Sequence, residues 1–355
     1  MRKLHLLALL LLCPALPTLA ASPTFTVGWS IYVGWNPYYY MAKSGILKRW
    51  AEKYNVEIKV QRFDYAPSLD AFVAKNIDAC TMTNMEALDM PAASGVDTTA
   101  ILIGDYSNGN DAVMVRNGLA FPQIPGKQVM LVQKTVSEYL FERGMVMNGQ
   151  QNELKKVKFL NTSDSDIVAA FMNNPATQVV VTWKPLVSQI REQKGVSTIF
   201  DSSKIPGEIL DLLVVRTDVL NRPDGSGARF AKALAGAWYE TLAQLNSKGP
   251  VADKAMAGIA AAAGDSIPSF KEQLATTHLF YTPQSAAEFA LAAELKTKMD
   301  LVRQFCFRHG LLGENTASVD DVAVLYPDKT VQGKKDRVRL RFDSSYMQMA
   351  AQGKL

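Results

Sequence analysis

Between residue 25 and about residue 116, short apolar runs rich in β-branched residues alternate with helical segments, which constrains this stretch to a mostly parallel sheet with helices on its faces. The strand candidates are Phe25–Trp29, Val56–Phe63, Ile77–Thr83, Thr99–Ile103 and Ala112–Arg116, with helices near 37–54, 67–75 and 84–93. The alternation then restarts, with strands predicted at 127–133, 157–160 and 178–183 and helices at 136–147, 164–173 and 185–194. Leu210–Arg216 reads as a strand that carries the chain back towards the first lobe. A chain of 355 residues exceeds what one hydrophobic core organises, so two α/β lobes are expected. Beyond residue 217 the pattern turns helical, and one long helix is predicted from Thr282-Pro283 to a stop at Gly310.

The chain start has its own grammar. Met1-Arg2-Lys3 is basic, Leu4 to Leu12 is apolar, and Pro14 to Ala21 ends in small residues, the order of a secretory signal peptide. Its apolar run is far shorter than the roughly 20 residues of a membrane span. Losing residues 1–21 removes Arg2 and Lys3 and lowers the formal net charge from +4 to +2, which gives no electrostatic footprint for nucleic acid. The expected organisation is signal peptide 1–21, lobe I from 22–116 plus 217–312, lobe II from 117–216, and a C-terminal extension 313–355 whose charged stretch Gly333–Arg341 reads as a solvated strand or tail. Cys80 and Cys306 then remain in an oxidising compartment, either as a pair or as two separately buried thiols.

Polar and aromatic residues gather where strands end, which is where open α/β sheets hold ligands. After the first strand come Trp29, Ser30, Tyr32 and Trp35, with Asn36-Pro37 starting a helix. Thr83, Asn84 and Glu86 follow the third strand, Asp105 and Asp111 the fourth, Ser137 and Glu138 the first strand of the second lobe, and Trp183 ends an apolar run before Lys184-Pro185. Each has a structural alternative. Buried aromatic packing would account for the tryptophans, and Thr83 with Glu86, like Thr135 with Glu138, has capping-box spacing.

Catalytic patterns do not emerge. Beyond the leader the histidines are His278 and His309, neither near a second ligand, and no zinc motif, nucleophile elbow or phosphate loop is present. The Asp105–Asp111 segment has glycine at the fifth position and no closing glutamate, which fails the calcium-loop pattern. A binder without cofactor or metal is therefore favoured over an enzyme.

The stretches Trp29–Tyr54, Asp78–Asn84, Gly126–Val129 and Val179–Pro185, in this order and spacing, make the chain resemble the periplasmic solute-binding proteins of ABC importers in the nitrate, sulfonate and taurine group. The Gly-Trp-Ser-x-Tyr-x-Gly-Trp-Asn-Pro and Asp-Tyr-Ser-Asn-Gly-x-Asp segments resemble its branch associated with urea and guanidine systems. The resemblance implies a two-lobed type II periplasmic-binding-protein fold, ligand held in the cleft, and a periplasmic monomer that delivers a small molecule to an inner-membrane permease. Carboxylates beside aromatics at the strand ends, with only Lys134 and Lys184 close by, predict a guanidinium- or urea-like ligand, with nitrate, sulfonate or taurine as the alternative. A pyrimidine-synthesising enzyme branch of the same superfamily is the remoter reading, as is a sensory binding protein.

Overall fold

The computed structural model describes residues 21–355, so the signal-peptide expectation falls almost wholly outside the described residues. The first four strands, β1 (Thr24–Trp29), β2 (Glu57–Arg62), β3 (Ala79–Thr83) and β4 (Thr98–Ser107), belong to one sheet. β1 lies parallel to β2 and β3, as the alternating pattern requires. The chain then crosses into a second, five-stranded sheet formed by β5 (Ala112–Arg116), β6 (Gln128–Leu131), β7 (Lys158–Asn161), β8 (Val179–Thr182) and β9 (Val196–Asp201), in the order β7-β6-β8-β5-β9.

A second crossing at Ser202–Ile209 returns the chain to the first sheet as β10 (Leu210–Arg216), antiparallel to both β3 and β4. β11 (Thr277–Leu279) pairs with β4, and β12 (Ala323–Leu325), β13 (Val331–Gln332) and β14 (Val338–Phe342) extend the same sheet beyond it. Its main order is β13-β12-β14-β4-β10-β3-β1-β2. β3 and β10 are buried along their whole length, so neither strand has a solvent-facing side.

The sheets redraw the expected lobe boundaries. Ala112–Arg116, assigned from sequence to lobe I, lies inside the second sheet between β8 and β9, whereas Leu210–Arg216, assigned to lobe II, is central to the first. The segment 313–355 is part of lobe I: β14 pairs parallel with β4 and buries Leu340 and Phe342. The long helix expected from Thr282 is two helices, Pro283–Leu291 and Ala293–Arg308, because Ala292 between them has extended backbone angles. Cys80 in β3 and Cys306 in the second of these helices are separate buried thiols, and burial pushes Cys80 up to about 12.

Candidate functional site

The two crossings and the strand ends surround a small cavity between the lobes. Lobe I supplies Tyr32, Trp35, Tyr65, Thr83 and Asp211, lobe II supplies Val136 and Trp183, and the crossing segments supply Asp111 and Ile209. Beyond β1 the backbone folds back on itself, with Trp35 N and Asn36 N both donating to Tyr32 O at 2.9 Å before Pro37 enters the first turn of helix Asn36–Lys43. That turn places Tyr32 and Trp35 over the sheet end. Four rings then span the cleft in sequence: Tyr32 to Trp35 at 5.1 Å, Trp35 to Tyr65 at 5.3 Å, and Tyr65 to Trp183 of the opposite lobe at 5.8 Å between centroids.

Carboxyl groups form the polar side of the site. Asp105 at the end of β4 stands directly opposite Asp211 at the start of β10 in the antiparallel ladder. Tyr32 donates its hydroxyl to Asp105 Oδ1 at 3.2 Å and receives Asn110 Nδ2 at 3.3 Å. The approach of Asp105 requires glycine at 34, because a Cβ there would come within 2.0 Å of Asp105 Oδ2. Asp111 is held by a hydrogen bond from Ser107 Oγ.

Burial pushes both Asp105 and Asp111 up to about 7; hydrogen bonds from Asp211 and Tyr32 to the first, and from Ser107 to the second, oppose the rise. Asp211 rises well above the carboxylate range through burial and the neighbouring charges of Asp105 and Asp111. Beneath the cavity, Glu86 bonds to Thr83 Oγ1 and accepts the backbone N–H of Val136 from the opposite lobe at 2.9 Å. Burial raises its pKa as well.

Of the residues predicted from sequence, Tyr32, Trp35, Thr83, Asp111 and Trp183 meet at the cavity wall. Asp105 and Glu86 stand directly behind it. The others are placed elsewhere. Trp29, 1% exposed, packs against Tyr39 with centroids 6.0 Å apart, and Ser30 is buried beside it in sequence with no partner for its hydroxyl. Asn84 secures the second crossing, donating to Glu208 O and accepting Leu210 N, both at 3.0 Å. Ser137 is buried in the first turn of helix Val136–Met147, and Glu138 accepts Lys134 N at 2.9 Å while facing His309. Lys184 turns away from the cavity to Glu272 and Thr276, each at 3.1 Å.

Tyr65, Val136, Ile209 and Asp211 line the cavity without having been singled out from sequence. A signal existed for two of them. Asp211 is a lone acid in an otherwise apolar strand, and Tyr65 follows Asp64 at the carboxyl end of β2.

No family model and no curated protein matches this chain. Solved structures do match. The alkanesulfonate-binding protein SsuA from Xanthomonas axonopodis pv. citri, bound to MOPS, superposes with a TM-score of 0.64 at 14% identity, covering 82% of this chain and 96% of that one. The aliphatic sulphonate-binding protein SsuA from Escherichia coli gives 0.64 at 16% identity, covering 82% and 94%. This chain has the type II periplasmic-binding-protein fold. The desulfurization enzyme DSZB also shares it, with a TM-score of 0.56 at 14% identity over 83% of this chain and 95% of that one, so the scaffold is compatible with both binding and chemistry. Among the described residues no helix is long and apolar enough to cross a membrane, and no group of side chains is arranged to hold a metal ion.

Proposed function

We propose that this chain is the solute-binding component of an ABC importer, closing its lobes on a small nitrogen-rich solute of the guanidinium or urea class and presenting it to a membrane permease. The observation that carries this reading is the cavity lining: four aromatic rings with Asp111 and Asp211, and no lysine, arginine or histidine. An aromatic face attracts a cation by roughly 0.5–2 kcal/mol, and a charge-assisted hydrogen bond contributes about 1.5–3 kcal/mol. Catalysis finds little support in the same lining. It contains no cysteine, serine or histidine, and Thr83 caps the helix Asn84–Ala87 by accepting Met85 N.

The names of the sulfonate-binding structures favour a second reading, capture of an anion. In this fold an anion would be drawn to a helix N-terminus facing the cleft. Here the N-terminus of Val136–Met147 is already taken by the Glu86 carboxyl, and a sulfonate would also face Asp111 and Asp211. Calorimetry with guanidinium, urea, nitrate and taurine decides between the readings. Guanidinium or urea is expected to bind, and binding of taurine or nitrate alone would overturn the proposal.

A further inference from the structure

We propose that Asp105 and Asp211 share a proton that a cationic ligand displaces, so that guanidinium-class cations enter with proton release while neutral urea-class amides enter without it. This rests on the nitrogen-solute reading above and goes further in separating its two ligand classes. The two residues are direct cross-strand partners in the antiparallel β4–β10 ladder, which places their side chains side by side on one face of the sheet. Asp105 is fully buried and Asp211 is 3% exposed. Each also keeps one buried oxygen, Asp105 Oδ2 and Asp211 Oδ2, to which no donor in the protein is directed.

The surroundings supply no compensating cation. The groups that face the pair are Tyr32 from the loop after β1, Tyr38 from helix Asn36–Lys43, Asn110 and Asp111 from the first crossing, and Tyr281 after β11. Glu86, which acts on Asp111, adds a further acid. Two neighbouring carboxylates inside such a wall resist ionising together, whereas one proton between them provides the missing donor.

The positions of the two residues divide their roles. Asp211 lines the cavity and meets the ligand, while Asp105 lies behind it against Gly34 and acts as a positioning residue. When a cation places its N–H groups on Asp211, its positive charge replaces that of the shared proton, which passes to solvent buffer. The net charge of the site is unchanged by the exchange. A urea-class ligand brings no charge, so the pair stays protonated.

Calorimetry of the full chain at mildly alkaline pH, where Asp111 is ionised and a single proton remains on the pair, in two buffers of different ionisation enthalpy, counts the protons. With guanidinium chloride the buffer dependence is expected to correspond to about one proton released per site, and with urea to none. Asp105→Asn, which leaves Asp211 as the only carboxylate of the pair, removes the buffer dependence for guanidinium, and Asp211→Asn weakens guanidinium more than urea. In ligand-free protein, the infrared difference between wild type and Asp105→Asn should contain a protonated-carboxyl band. Guanidinium binding with a buffer-independent enthalpy overturns the shared proton and leaves the cationic site standing. If instead only taurine or nitrate binds, the nitrogen-solute reading fails, and the infrared band by itself upholds or rejects the shared proton.

Discussion

The backbone N–H of Val136 donates to Glu86 Oε1 at 2.9 Å, so the first turn of a lobe II helix is capped by a carboxyl group of lobe I. This bond exists only when the lobes are together. It joins the cap to the hinge: Thr83, which bonds Glu86, also donates its backbone N–H to Tyr65 Oη at 3.1 Å, and Tyr65 is one of the four rings across the cavity. If the proposed solute is gripped by both lobes, its contacts and the Glu86–Val136 bond favour the same closed state.

Removing Glu86 tests that coupling. Glu86→Ala leaves the Val136 N–H buried without an acceptor, which costs about 1–3 kcal/mol in the closed form only. Ligand affinity is expected to fall by roughly tenfold or more, with small-angle scattering shifted towards an open particle. Glu86→Gln keeps an acceptor oxygen and should retain most of the closure. An affinity unchanged in Glu86→Ala would show that the bond contributes nothing to closing.

At the rim the lobes meet through ion pairs. Glu142 of lobe II receives Arg308 at 2.8 Å and His309 at 2.6 Å, and Glu272 of lobe I bridges Lys184 and Arg191 at 3.1 Å. Burial pushes the Glu142 carboxyl up, but the hydrogen bonds and charges of His309 and Arg308 outweigh it and hold the group below its ordinary value. A depressed carboxylate stabilises above its unfolded-state pKa and loses that contribution as pH falls through the folded value. Stopped-flow release of ligand should accordingly be a few-fold faster in Glu142→Ala at neutral pH, with the difference vanishing in strong acid.

Asp105 and Asp111 carry the opposite sign. Their folded-state pKa of about 7 lies above that of an unfolded aspartate, so the native chain binds more protons than the unfolded one between roughly pH 4 and 7. Stability from these two groups is full at the acid end of that window and declines as pH rises through it. Calorimetric melting of ligand-free protein should show a Tm that drops across the window, and Asp111→Asn should flatten the slope. A cationic ligand reverses the trend because it stabilises the ionised forms.

The alternation of strands and helices was legible because its period is local, and the aromatic loop after β1 was legible because Pro37 marks the first helical turn, although Asn36 lies inside the helix and its amide does not cap it. Lobe membership was not. Whether Ala112–Arg116 and Leu210–Arg216 join one sheet or the other depends on pairing with β8 and β9 or with β3 and β4, residues far away in sequence. The final strands were hidden for a related reason: Val338–Phe342 alternates charged and apolar residues, and only its pairing with β4 distinguishes an edge extension from a solvated tail. At the site, the acids before apparent helices looked alike from spacing. Glu86 reaches across the cleft whereas Glu138 caps its own helix at Lys134, a difference set by how the lobes close.

The tryptophans separate packing from binding most directly. Trp29 is nearly inaccessible and sits outside the cavity wall against Tyr39, whereas Trp183 comes from lobe II and presents its ring to Tyr65 across the cleft. Trp29→Ala should lower stability by about 3–5 kcal/mol, the usual effect of emptying a buried aromatic site, while the fraction that folds keeps near-normal affinity. Trp183→Ala should do the reverse, losing roughly tenfold in affinity through the missing aromatic wall with a smaller fall in stability. Thermal melting is the appropriate measure, because guanidinium and urea are themselves candidate ligands and a denaturant titration would mix binding with unfolding. If Trp29→Ala folds as well as wild type but loses ligand, the loop after β1 reaches the solute through Trp29 rather than through Tyr32 and Trp35.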